Sequence, residues 1–450
     1  MKKSVVSWIA AAAAVLVFVA VPLRPGAAGS GNPGSAAVSP DGKIALPNPD
    51  SGLRFVPGRV LLRFKKGIPS WMSELWIASY NAREIGRLHQ IRTHILELSE
   101  GVSVEEAVAA LNRHPEVDFA EPDYIASANV TPNDTFFGYQ YALYNSGQPI
   151  SIPGSPTGKP SADIKATAAW EETRGDSEVV VAVVDTGADL LHPDLENKFA
   201  GSGRDFINED FDASDDHGHG TWISGIIGAE TDNNLGVAGA AWNCRLLPVK
   251  VLDENAEGAY STIAEGILWA VDNGADIINL SLGYSEDSLA LSDAVAYAYE
   301  QGAVLCAGTG NTGSAVEYPA AYDDYCLAAA ATDYNDARPP WSNFGPEVDV
   351  AAPGASIFST FPRGHFGPGS LDYGFSDGTS AAAAHVSALA ALIISVKPLL
   401  TPAEVMDIIR FSCDDVNEET DPEWDEFLGY GRLNMEKALV PIVIKNRSGE

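Results

Sequence analysis

Five short runs built almost wholly from apolar residues limit the fold of this chain more than any other feature. Val179 to Val184 is the clearest, all Val or Ala, and Arg245–Leu252, Ile277–Leu280, Ala303–Cys306 and Cys326–Ala331 resemble it. A strand with one wet face alternates apolar and polar residues. These runs do not alternate, so both of their faces must be covered. Between them, Tyr260–Asn273 and Ser288–Gln301 read as helices. The alternation predicts an α/β fold, a parallel sheet with helices on both faces. Reactive groups in such sheets collect at the carboxyl ends of the strands.

The chain has 450 residues, with 28 Lys+Arg against 61 Asp+Glu and a net charge of −33. That length suffices for one large core and an additional module. The charge is uneven. Residues 1–129 carry a net +1, whereas residues 130–450 hold 15 Lys+Arg and 49 Asp+Glu, a net −34. Such a step marks a boundary between parts with different tasks. The acidity excludes nucleic acid and anionic membrane as main partners, because both repel it. Cys244, Cys306, Cys326 and Cys413 are too few for a disulfide scaffold. Cys306 and Cys326 fall on strands expected to be neighbours. Disulfides and buried thiols both stay open.

Residues 1–28 read as a signal peptide: Lys2 and Lys3, the apolar run Val5–Val21, then Pro22 and small residues. The run is short for a membrane span. An uncleaved anchor is the alternative, and either reading takes the body of the chain out of the cytoplasm. Residues 29–52, rich in Gly, Pro, Ser and Ala, read as a linker. Residues 53–128 read as a small α+β module, with a strand at Arg59–Phe64, a helix over Val102–Leu111 and a last strand from Val117 that stops at Pro122. Residues 129–450 form the α/β domain.

Three segments of that domain carry candidate chemistry: Val183-Val-Asp-Thr-Gly187, Asp216-His-Gly-His-Gly-Thr221 and Asp377-Gly-Thr-Ser380. Singly, each has a plain reading as a helix cap or surface turn. Asp-Thr-Gly is also the aspartic-protease tripeptide, but that chemistry needs two carboxylates sharing a proton and the chain has one such tripeptide. His217 and His219 could ligate zinc, yet no further ligands fall at a recognisable spacing. The Gly-x-Ser-x-Gly elbow of α/β esterases is absent. Together, Asp, then His, then Ser at the mouth of a parallel sheet is the order of one serine-protease triad. A serine hydroxyl needs a base, histidine supplies it near neutral pH, and a buried carboxylate orients the imidazole and stabilises its charged form.

From about Phe55 to Leu439 the chain resembles the subtilisin-like serine proteases with their propeptide. The motifs occur in order: Val181-Ala-Val-Val-Asp-Thr-Gly-Ala-Asp189 with His192-Pro-Asp194, His219-Gly-Thr221, Val249-Lys-Val-Leu252, Ser281-Leu-Gly283, Ala351-Ala-Pro-Gly354 and Gly378-Thr-Ser380. The resemblance implies a subtilisin-like fold behind a ferredoxin-like propeptide. It implies Asp185 as the orienting carboxylate, His219 as base and Ser380 as nucleophile. Asn311 would be the oxyanion-hole donor beside the Ser380 N–H. Ala256, Glu257 and Gly258, with Ser281, Leu282 and Gly283, would sandwich an extended peptide by strand addition. Glu317 falls at the floor of the primary specificity pocket, where a carboxylate would favour Lys or Arg before the cut.

A structural calcium site is implied at Gln140, Asp194 and Asn233 with the carbonyls of Thr231, Leu235 and Val237, a set of oxygen ligands that suits that ion. The propeptide, closing with Val117–Tyr124, would assist folding, inhibit the cleft and be cut off by the enzyme itself between about Ile125 and Asp134. The expectation is a secreted monomer, extracellular or periplasmic, acting on proteins or peptides. There are departures from the family pattern. Trp222 stands where the family has His and Tyr284 where glycine is common, so both are expected to narrow the cleft. Ala381–Ala384 replaces Met-Ala-Ser-Pro, which suits a helix and removes an oxidisable thioether beside the nucleophile. Acidic clusters such as Asp414-Asp415 and Glu418–Glu426 are expected to be solvated surface.

Overall fold

The computed structural model describes residues 55–69, 77, 82–99, 101–124, 130–151, 155–367, 369–417 and 424–439. The expected signal and linker lie outside these residues, as does the first half of the segment expected to hold the processing cut. The chain divides into two units, Met1–Ala126 and Ser127–Glu450.

The first unit is an antiparallel sheet of β1 (Phe55–Phe64), β2 (Ala82–Leu88), β3 (Thr93–Leu98) and β4 (Val117–Tyr124), in the order β2-β3-β1-β4. Helix α1 (Val104–Asn112) joins β3 to β4, and Ile77, helical and buried, stands between β1 and β2. This is the order of a ferredoxin-like sheet. Ser103 starts α1 by accepting the Glu106 N–H, with two acidic residues in the first turn. Val104, Ala107, Val108 and Leu111 form one buried stripe, packed with Val60, Leu62 and Leu96. Asn112 pins the helix to β4, its amide bonding both N–H and C=O of Ala120. The last strand does not stop at Pro122 but runs on to Tyr124. β4 is an edge strand, where a residue without an N–H breaks no ladder on its open side.

The second unit is built on seven strands: β5 (Val180–Asp185), β6 (Arg204–Asp205), β7 (Arg245–Lys250), β8 (Ile277–Leu280), β9 (Val304–Gly308), β10 (Cys326–Thr332) and β11 (Val350–Pro353). All pair in parallel, in the order β11-β10-β9-β8-β5-β7-β6. All five predicted strands are among them. Val181 and Val183 face a core shared with α2 (Ala166–Glu172), α3 (His219–Gly228) and α6 (Thr379–Val396). Val180, Ala182 and Val184 face the core of α4 (Tyr260–Asp272) and α5 (Leu289–Glu300). Burial on both faces is why these strands carry no alternation. After β7 the chain crosses to the far side of β5, so the carboxyl end of β5 is the topological switch point.

Helix α6 is long and apolar enough to pass for a membrane span, with a hydropathy of 1.7, but 83% of it is buried inside this unit. It is the central core helix. Behind it, α7 (Pro402–Phe411) opens on a capping box of Thr401 and Glu404. A hairpin of β12 (Ile357–Thr360) and β13 (Tyr373–Ser376) leads into α6.

Two expectations change here. Asp414 is not solvated surface: Arg432, itself buried, bridges it to buried Asp336, and Lys437 and Asn434 bond it too. Breaking such a buried pair from one side costs about 3–5 kcal/mol. Asp425 is also buried, accepting from the N–H groups of Phe427 and Leu428. Glu418 to Glu423 lie outside the described residues. The four cysteines are free thiols. Cys306 and Cys326 do sit on neighbouring strands, but Cys306 pairs with Leu327, so the two sulfurs face opposite cores.

Candidate active site

Asp185 ends β5 at the switch point, fully buried. His219 is the first residue of α3, and its Nδ1 lies 2.7 and 2.9 Å from the two carboxylate oxygens of Asp185. The Thr186 N–H donates to the same carboxylate at 2.7 Å. The approach of α3 to β5 depends on Gly220. A Cβ there would stand 2.1 Å from the Gly187 carbonyl oxygen, so no side chain fits.

Asp215, which the motif reading passed over, organises this loop. Its carboxylate accepts from the hydroxyls of Thr186 and Thr221 and the N–H groups of His217, Gly218 and Thr221. Lys250, quoted above within Val249-Lys-Val-Leu252, was given no role there. Its buried ammonium donates to the carbonyls of Thr186 and Leu252 and to Asp216. Neither has a signal at short sequence spacing. Burial disfavours the His219 imidazolium, but the Asp185 charge and hydrogen bond, with the Asp215 charge, outweigh it and raise the pKa above the ordinary 6.5.

Ser380 is the second residue of α6, in the first turn, where backbone N–H groups lack the usual partner four residues back in the helix. Its Oγ donates to the Ser281 carbonyl at 3.3 Å, and Ser281 Oγ donates to the Ser380 carbonyl at 2.9 Å. Ser380 and His219 line one cleft without a mutual hydrogen bond among the described residues. Such contacts often tighten only with substrate bound. Asn311 Oδ1 accepts from the N–H and hydroxyl of Thr379, which turns its Nδ2 the other way. The space where a side chain on Gly378 would begin lies 3.6 Å from Asn311 Nδ2, from the Ser380 nitrogen and from Ser380 Oγ alike. Two donors and a hydroxyl therefore converge on one open point.

The cleft holds about 670 Å³. Ala256, Glu257 and Gly258 line one wall and Ser281, Leu282 and Gly283 another. Tyr284, largely exposed, also lines it, held by a two-way backbone bridge to Tyr318. Trp222 does not narrow the cleft. It is 1% exposed, packed in the core with its indole N–H on the Ile357 carbonyl. Helical spacing turns it inward, three residues past His219. Glu317 lines the cleft with its carboxylate wedged between two glycines, 3.2 Å from where a Cβ on Gly283 would be and 2.8 Å from one on Gly310. Burial raises its pKa against the opposing hydrogen bond from Asn343. Among the described residues no Lys or Arg lines this cleft.

The expected calcium residues gather around loop 231–237. Asp194 is buried, accepting from Asn233 Nδ2 and the Val237 N–H at 2.8 Å each. Burial pushes its carboxyl up to about 7. Gln140 is placed differently from the expectation: both ends of its amide are bonded to Ala238, N–H and C=O, at 2.7 Å. Asp134, not singled out from sequence, is the second carboxylate here. Its Oδ2 accepts the Asp232 N–H, while its buried Oδ1 has no partner. An orphaned oxygen beside a buried carboxylate fits a hard cation. Among the described residues no three His, Cys, Asp or Glu side chains are placed to hold a metal ion, so a cation here would need carbonyl oxygens as well as these carboxylates.

Comparison with known proteins gives the family. Residues 176–431 match the model of the subtilase family, and residues 44–123 that of the fervidolysin N-terminal prodomain. The chain is 36% identical over 387 residues to the thermophilic serine proteinase of Bacillus sp. (strain AK1), covering 86% of this chain and 88% of that one. It is 42% identical over 233 residues to thermitase of Thermoactinomyces vulgaris, covering 52% and 80%. A solved protease from Pseudoalteromonas arctica superposes with a TM-score of 0.60 at 31% identity, over 69% of this chain and 99% of that one. The chain belongs to the subtilase family and is a serine endopeptidase with an N-terminal prodomain.

Proposed function

We propose that Asp185, His219 and Ser380 are the catalytic triad of a secreted, self-processing endopeptidase. The observation that carries this reading is the Asp185–His219 pair at 2.7 Å, opposite the point where Asn311 Nδ2, the Ser380 N–H and Ser380 Oγ converge. Ser380 Oγ attacks the scissile carbonyl carbon as His219 Nε2 takes its proton. The oxyanion is met by Asn311 Nδ2 and the Ser380 N–H, the latter aided by the α6 dipole. Asp185 holds the imidazolium, which then protonates the departing amine. Water resolves the acyl-enzyme by the same steps in reverse. These roles follow the subtilisin template. The substrate backbone lies between Ala256–Gly258 and Ser281–Gly283. The prodomain is the first substrate and then an inhibitor.

The wild type should release its prodomain and label with a serine-directed fluorophosphonate, and Ser380→Ala should do neither. Equal behaviour of the two would sink the reading. Protonated His219 cannot act as base, so kcat/KM should fall as pH drops through its raised pKa. The acid limb should have its midpoint above 6.5 on an uncharged substrate. A midpoint at or below that value would contradict the assignment.

Glu317 sets a preference for Lys or Arg before the cut, because its carboxylate enters the cleft without a protein cation. In a peptide library, wild type should favour basic over aromatic residues and Glu317→Gln should lose that bias. A wild-type library without it refutes the assignment. Asp134, Asp194 and Asn233, with the carbonyls of Thr231, Leu235 and Val237, hold a structural calcium ion, which would tie the loop to residues 133–136. Gln140 braces the loop at Ala238. Chelation should lower the melting temperature of Ser380→Ala, and Asp134→Asn should raise the calcium concentration needed to restore it. An unchanged melting temperature would remove the site.

A further inference from the structure

Residues 361–366 bridge the two halves of the catalytic machinery from outside the cleft. They continue from β12, whose Ser359 and Thr360 hydroxyls donate to the Trp222 and Thr221 carbonyls in the first turn of α3. The chain then returns through β13 to Ser380. His365 and Pro362 press on Gly218, the residue before His219. A Cβ on that glycine would lie 3.0 Å from His365 Cε1 and 3.3 Å from Pro362 Cδ. None of residues 361–366 is among those lining the cleft that holds Ala256–Gly258 and Ser281–Gly283.

The segment is aromatic, anchored and electrically neutralised. The rings of Phe361, His365 and Phe366 are in mutual contact, at centroid distances of 5.0, 5.0 and 4.8 Å. The Phe366 ring lies flush on Gly374 of β13, leaving no room there for a Cβ. Arg363, the one fixed cation of the segment, is spent on buried Asp189. Its Nε and Nη2 donate at 2.9 and 3.1 Å, and its backbone N–H donates as well. Phe366 nevertheless remains 51% exposed. In a domain of net charge −34, an uncharged aromatic cluster beside His219 offers a surface suited to an apolar group.

The chemistry of the cleft says what passes there. The acyl half of the substrate occupies the walls described above. His219 protonates the leaving amine, so the chain beyond the scissile bond departs on the imidazole side, next to Gly218. We propose that Phe366, with His365 and Phe361, forms a subsite for a large apolar or aromatic side chain on the leaving-group side of the scissile bond. This inference rests on the triad reading and adds to it a second specificity determinant, independent of Glu317.

The test uses internally quenched peptides of one acyl-side sequence, with Phe, Leu, Gly or Asp at the first and second positions after the cut. A methyl ester of the same acyl sequence, whose leaving group is methanol and cannot reach the subsite, is the control. For wild type, kcat/KM with Phe or Leu should exceed that with Gly or Asp by about tenfold or more. Phe366→Ser should bring that ratio towards unity and Phe366→Leu should keep most of it, with ester hydrolysis equal in all three. A ratio unchanged in Phe366→Ser, or absent in wild type, overturns the subsite. So does a parallel loss on the ester, which marks a structural role. A wild type that leaves even the ester intact strikes instead at the triad on which the subsite stands.

Discussion

The packing of α6 against the parallel sheet is the contact on which the remainder of the catalytic unit depends. Ala381 to Ala384 and Ala388, Ala390 and Ala391 carry no exposed surface, and the strand beside them, β10, is itself Ala328 to Ala331. Small side chains on both partners let the helix lie close to the strands, and the interior tolerates few voids at that distance. Because Ser380 is the second residue of this helix, the depth of the helix in the core sets the height of the hydroxyl above the sheet. The same burial fixes the outward direction of the Ser380 N–H. Position at Ser380 is thus a property of the core more than of a loop.

The other half of the machinery is held by polar contacts that converge on one short loop. Asp215 gathers two hydroxyls and three N–H groups, and Lys250 spans from the end of β5 to Asp216. A buried network of this kind is costly unless every member is paired, and here the members named are paired. The result is an imidazole, that of His219, held on the Asp185 carboxylate at the wall of the cleft. Rigid placement of this sort is what lets fixed dipoles act on a developing charge without reorganising.

Much of this was legible in the sequence, for physical reasons that differ by element. Strands covered on both faces betray themselves by continuous apolar runs, so the five predicted from Val179 to Ala331 all appear. Asp185, His219 and Ser380 were legible as candidates because each sits in a short motif, Asp185 ending a strand and His219 and Ser380 opening helices. Asp134, Asp215 and Lys250 were not, since their partners are distant in sequence or lie inside one loop without pattern. Trp222 was misread because a motif position says nothing of which way a helix turns its side chain. Pro122 was misread as a stop because an edge strand cannot be told from a central one before pairing is known. Asp414 looked like one more solvated acid, and only the fold brings Arg432 to it.

The placement of Cys306 and Cys326 has a consequence for how the molecule comes together. The sheet itself stands between the two sulfurs, so the strands that neighbour each other cannot be cross-linked through them without being turned over. With all four thiols free, cohesion among the described residues is wholly non-covalent. Assembly of the catalytic unit therefore calls for no oxidant and no shuffling of cross-links. The same tertiary structure is open to the chain in reducing and oxidising surroundings alike.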